Sequence, residues 1–116
     1  METIYKTIKL KKEDYYRIHL SIINPVLPVT LTPREIDILA SFMVFEGDIA
    51  LDRFGTTAKK MAMESLKLKP SNLSNFMKNL LKKGFIFEKN GKMEILPILF
   101  PEKNKQEYKF RIENLN

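Results

Sequence analysis

The chain has 116 residues, 44% of them apolar and 29% charged, which is one domain's worth of core and too patterned for global disorder. It has no cysteine, so a disulfide framework, a thiolate metal site and a cysteine nucleophile are excluded. The net charge is +6, and all of that excess falls in 57–83, where seven lysines stand against Glu64 alone while the rest of the chain balances.

Along the chain, Thr3–Leu10 alternates, with Ile4, Ile8 and Leu10 to one side and Tyr5, Thr7 and Lys9 to the other, and predicts a strand. Lys12–Ile23 has helical spacing, with Tyr15, Ile18, His19 and Ile22 on one apolar face, and Asn24-Pro25 ends it. No apolar run near the N-terminus is long enough for a signal peptide. The longest stretch free of titratable side chains, Leu20–Pro33, is too short and too broken by proline to span a bilayer. The expectation is a cytoplasmic protein with no membrane partner.

Thr32-Pro33-Arg34-Glu35 reads as a capping box with proline at the first helical position, flanked by Leu31 and Ile36 as a hydrophobic staple. Ile36, Leu39, Ala40 and Met43 form the inward face of that helix, and Gly47 is expected to end it. In the linker 46–56, Glu46, Asp48 and Asp52 do not have the spacing of a calcium loop, so no metal is expected, and Asp52-Arg53-Phe54 predicts a turn that docks Phe54 in the core. A short helix over Ala58–Leu66 should turn Ala58, Met61, Ala62 and Leu66 inward. Leu68 should cover the turn that follows.

Pro70 restarts a helix after Lys69, and Leu73, Phe76, Met77, Leu80 and Leu81 recur at i, i+3, i+4, i+7 and i+8. Lys82 and Lys83 suit its negative end, and Gly84 stops it. Phe85–Lys89 and Lys92–Leu96 flank Asn90-Gly91, a strong hairpin signal because both turn residues tolerate positive φ. Pro97 and Pro101 bracket an extended Ile98-Leu99-Phe100. Glu107–Ile112 alternates again and is expected to pair with the N-terminal strand. The six methionines read as core filler at helical spacing.

The order helix, short helix, tight turn, amphipathic helix, glycine, hairpin is that of a winged helix-turn-helix. The outward face of helix 70–83 consists of Ser71, Asn72, Ser74, Asn75, Lys78, Asn79 and Lys82, with no acid to repel phosphate. Asparagine can pair bidentately with adenine in the major groove, serine adapts to either donor or acceptor, and lysine neutralises phosphate. Lys59, Lys60 and Lys69 add charge beside that face, and Lys89, Asn90 and Lys92 stand at the hairpin tip. A localised basic excess suits a polyanionic partner, and a lysine-rich face also serves solubility.

LTPREIDILASF, LKPSNLSNFMKNLLKKGFI and the Asn90-Gly91 hairpin together resemble winged helix-turn-helix transcription regulators, over about Thr30–Leu96. The chain departs from that pattern near Lys67, where the family favours glycine in the tight turn, and near Met63, where it favours a small residue. The resemblance implies an α+β fold in three parts: a strand–helix extension over 1–29, the winged helix-turn-helix over 30–97, and an extended segment with a strand over 98–116. It implies duplex DNA as the partner, no cofactor, and dimerisation to gain specificity. In addition LSIINPVLP, LTPREIDIL, the KKG block and ILPILFP are similar to small proteins of crAss-like bacteriophages. That similarity implies either action on phage or host DNA, or a virion or assembly component that uses the fold for protein contacts through Ile98, Leu99 and Phe100.

Enzymatic chemistry finds no motif. His19 is the only histidine and lies among helical apolar residues, where a packed role is expected. There is no phosphate-binding glycine loop and no nucleophile elbow, and a serine triad would have to centre on His19 unaided. The reading is a non-enzymatic DNA-binding protein, with the assembly component as the alternative.

Overall fold

A computed structural model of the chain describes residues 4–116. The fold is α+β. Helix α1 spans Lys12–Ile23, α2 Pro33–Met43, α3 Thr56–Leu66 and α4 Pro70–Lys83. An antiparallel pair follows, β1 Ile86–Lys89 and β2 Lys92–Ile95, with Ile86 opposite Ile95 and Lys89 opposite Lys92. Short 3-10 helices occupy Asn24–Val26, Gly47–Asp52 and Pro97–Leu99. This order is compatible with a winged-helix arrangement.

The core is organised around α2. It starts where the sequence predicts: the Thr32 hydroxyl accepts from the Glu35 amide at 3.2 Å, and the Glu35 carboxylate accepts from the Thr32 amide at 2.8 Å. From there Ile36, Ile38, Leu39, Ala40, Phe42 and Met43 are all buried, so apolar side chains leave the helix in nearly every direction. α1 packs on one side of it and α3 on another. Burying each large side chain is worth about 1.5–3 kcal/mol, which makes α2 the element on which the others depend.

α2 ends at Met43, earlier than the expected stop at Gly47. Its last carbonyls have found a different cap. The Arg53 guanidinium donates to the carbonyls of Phe42 at 2.8 Å, Met43 at 3.3 Å and Phe45 at 3.0 Å, and lies 5.3 Å over the Phe100 ring. A cation at a helix C-terminus favours both the dipole and the unpaired carbonyls. Gly47, with φ of 67°, instead opens the 3-10 helix. Phe54 does dock in the core, its ring 4.5 Å from that of Phe42.

The turn between α3 and α4 is tight. Lys67 takes a left-handed conformation at φ 54°, and the Leu68 amide reaches back to the Met63 carbonyl at 3.0 Å. Lys69 is the N-cap of α4 by backbone conformation, with Pro70 at the first position, and Gly84 closes the helix at φ 82°. At the hairpin, Asn90 and Gly91 have φ of 54° and 78°, as a two-residue primed turn requires.

Four further expectations are corrected. Residues 4–10 form no strand, and Thr3 lies outside the described residues; residues 107–112 form none either. Alternation makes a strand only when a partner edge pairs with it, and among the described residues the only paired strands are β1 and β2. Ile4, Tyr5, Ile8, Phe110 and Ile112 are exposed, and the radius of gyration is 15.9 Å where a compact chain of this length would have about 13 Å. Instead the C-terminal segment is laid along α1. The Tyr15 hydroxyl donates to the Glu102 carbonyl at 2.7 Å, and the Tyr108 hydroxyl lies 2.6 Å from Nδ1 of His19. His19 is therefore a packed residue, as expected.

The second correction concerns Ile98-Leu99-Phe100, which is not extended. Pro97–Leu99 curls into a 3-10 turn, with the Leu99 amide donating to Leu96 and the Phe100 amide to Pro97, and Leu99 is fully buried. Third, Met61 is 47% exposed, because α3 meets the core through Ala58 and Ala62, whose small side chains bring the helix close. Fourth, the methionines are not all core filler. Met43 is buried, while Met63, Met77 and Met93 are only partly so, and Met1 lies outside the described residues.

Candidate nucleic-acid interface

α4 presents one exposed polar face. Ser71, Asn75, Lys78 and Lys82 succeed one another at intervals of four, three and four, a single stripe along the helix. Asn72 and Asn79 flank it on one side and Ser74 on the other. All seven residues are exposed, and no acid lies anywhere on the helix. The opposite face is fixed by Leu73 and Leu80, both buried, and the last turn packs towards β1.

At the N-terminus of α4 no side chain caps the helix, and no acid occupies the first turn. The first amides of a helix have no intrahelical acceptor, and Pro70 contributes none, so the backbone at Ser71 and Asn72 offers donors to an outside anion. Lys69 is exposed immediately before them, and Lys60 is exposed on α3. Lys59 is half-buried and, with Lys78, lines a groove between α3 and α4.

The basic block is smaller than its charge count. Lys83 turns away from the exposed face and donates to the Glu35 carboxylate at 2.6 Å and to the Thr30 carbonyl at 3.1 Å. Burial alone would raise the Glu35 carboxyl, but hydrogen bonds from Lys83 and Thr32 outweigh it and hold the group below the ordinary glutamate value. Lys83 is thus a structural cation, and Glu35 is a buried acid that the capping-box reading did not anticipate. The pairing spans 48 residues, and no local pattern announces it.

The hairpin tip carries Lys89, Asn90 and Lys92, all exposed. Lys89 and Lys92 are directly opposed across the strands, an unfavourable like-charge pair in the absence of an anion. Lys92 is only loosely tied, 3.4 Å from the Leu51 carbonyl. The hairpin is not free of acids, since Glu88 and Glu94 are exposed towards its base, so its attraction for phosphate is confined to the tip.

The sequence-predicted residues on α4, with Lys69, therefore form one continuous surface, Lys59 and Lys60 stand beside it on α3, and Lys89, Asn90 and Lys92 form a separate projection. Among the described residues no helix is long and apolar enough to cross a membrane, and no cluster of three or more histidine, aspartate and glutamate side chains could hold a metal ion. No known protein family, curated protein or solved structure matches the chain.

Proposed function

We propose that the chain is a winged helix-turn-helix protein that binds duplex DNA, with α4 entering the major groove and the hairpin tip against the backbone. The observation that carries this reading is the exposed face of α4: seven polar or basic side chains, no acid, and an uncapped N-terminus. An α-helix fits the B-form major groove, and asparagine and lysine have complementary tasks there, base edge and phosphate. The opposed Lys89 and Lys92 fit the same reading, since a phosphate between them would relieve their repulsion. Such a protein would serve as a transcription regulator, bacterial or phage-encoded, without catalytic chemistry of its own.

The assembly alternative has less to stand on. Of its three proposed contact residues, Leu99 belongs to the core and Phe100 lies against Arg53 and Tyr16, which leaves Ile98. The test is a titration of the full chain with random duplex DNA across a salt series. Log affinity should fall nearly linearly with log salt, with a slope of about −0.9 for each phosphate contacted. Absence of binding at low salt overturns the proposal.

A further inference from the structure

The groove between α3, α4 and the hairpin has a volume of about 370 Å³, at the lower end of the roughly 300–1,000 Å³ found for small-molecule sites. Its floor is Leu73 and Ile86, and its walls carry Met63, Met77 and Met93. Leu81, 49% exposed, extends the apolar surface to the mouth. A helix face of this kind ordinarily closes onto its neighbours. Here three unbranched thioether side chains line a gap that remains open, and methionine adapts its shape to what it meets.

The rim has one sign of charge. Lys59 on α3 and Lys78 on α4 both line the groove, with the Ser74 hydroxyl near them, and no acidic residue lines it. Among the described residues neither lysine has an acidic partner. Lys59 is half-buried, as expected of a side chain whose stem follows an apolar wall while its ammonium reaches the opening. An inorganic anion would gain nothing from the floor, and an apolar cation would be repelled at the rim. The ligand that satisfies both is an apolar body with one anionic head.

We propose that this groove binds a small amphiphilic carboxylate, its tail among Met63, Met77 and Met93 and its head between Lys59 and Lys78. The site has a consequence that rests on the DNA-binding reading above. Ser74 and Lys78 belong both to this rim and to the exposed face of α4, so a bound carboxylate neutralises charge that phosphate would use. Ligand and DNA then compete.

The test is calorimetric titration of the full chain with dodecanoate, held below its micelle-forming concentration. The expected result is saturable one-to-one binding, with dodecyltrimethylammonium, the same tail with the opposite head, bound at least tenfold more weakly. Met63→Trp and Met93→Trp fill the groove from different walls and lie outside the proposed DNA face. Each should weaken dodecanoate at least tenfold while circular dichroism keeps the helical signal. Equal binding of the two amphiphiles overturns the site, as does no saturable dodecanoate binding, or full binding by both folded tryptophan variants. The head-group comparison needs only the parent chain, so it stands even if a variant does not fold. Saturating dodecanoate should also lower DNA affinity at least threefold for the parent and not for the tryptophan variants. An unchanged DNA affinity with dodecanoate bound overturns the competition alone. A parent that binds no DNA overturns the DNA reading and the competition together, and leaves the calorimetric result to decide the site.

Discussion

Lys83 at the end of α4 and Glu35 in the first turn of α2 form an ion pair 2.6 Å long, in which the glutamate side chain is buried and the lysine side chain keeps a quarter of its surface in solvent. The pair joins the proposed recognition helix to the central helix. Replacing Lys83 with Met leaves a buried charge without its partner, and the expected loss is about 3 kcal/mol, towards the lower end for a broken buried pair because the site is open on one side. Urea unfolding measures it; a loss under about 1 kcal/mol would mean that water replaces the ammonium. Because Glu35 is held below its ordinary value, its contribution is complete above the unfolded glutamate range and disappears as pH falls through the lowered folded value. Glu35→Gln should flatten that acid limb.

Lys67 should be improvable. A residue with a Cβ at φ 54° is strained by about 1–2 kcal/mol, and glycine removes the strain at some cost in unfolded-chain entropy. Lys67→Gly is expected to stabilise by about 0.5–1 kcal/mol, seen as a rise of roughly 2–4 °C in the thermal midpoint. A fall would show that the lysine side chain makes contacts that outweigh its backbone strain.

The contact of Tyr108 with His19 should hold the C-terminal segment against α1. Tyr108→Phe removes one hydrogen bond and leaves Nδ1 without a partner beside Nε2, which is buried and has none among the described residues, at a cost of about 1 kcal/mol. Burial lowers the His19 pKa, so the fold prefers the neutral ring. Its stabilisation is complete above the ordinary imidazole value and is lost as pH falls through the lowered folded value, beginning below about pH 6.5. Limited proteolysis across that range should release the C-terminal segment first. Equal protease resistance at pH 7 and pH 5 would contradict the role given to His19.

What was legible in the sequence is what short-range chemistry decides. Thr32 with Glu35, Pro70, Gly84 and Asn90-Gly91 each mark a boundary through hydrogen bonds or φ values within four residues, and each stands where the pattern predicts. The polar face of α4 was legible for the same reason, since helical periodicity alone separates it from Leu73 and Leu80. The misreadings needed distant partners. Alternation over 4–10 and 107–112 specifies a strand only if another strand lies alongside, and among the described residues none does. The end of α2 depends on Arg53, about ten residues on, and Lys83 depends on Glu35. The groove walls look like core in the sequence because spacing shows which methionines share a face, not whether the facing element closes over them.

The exposed face of α4 makes separable demands. Lys78→Glu with Lys82→Glu should leave stability nearly unchanged, since exposed charges contribute about 0–1 kcal/mol, with up to about 1 kcal/mol more lost because the second change sets an acid against the helix dipole. DNA binding should disappear, as two attractions become two repulsions. Asn75→Ala should instead relax preference at one base position by about 1–3 kcal/mol while leaving affinity for random sequence in place. Filter binding with selected and random duplexes distinguishes them, and a doubly substituted chain that binds as the parent does would remove α4 from the interface.

The two ends of α4 are held unequally. At one end Gly84 closes the helix and Lys83 ties it to Glu35, while the other begins at Pro70 with no side-chain cap. Local opening of a helix is easiest where the fewest constraints act, so the first turn, although Leu73 anchors it in the core, should open at lower cost than the last. The amides of Ser71 and Asn72, at that end, have no intrahelical acceptor, and an anion would satisfy them. The helix is thus tied at its root and uncapped at its tip, and any partner that docks at the tip must offset the conformational entropy lost in ordering it.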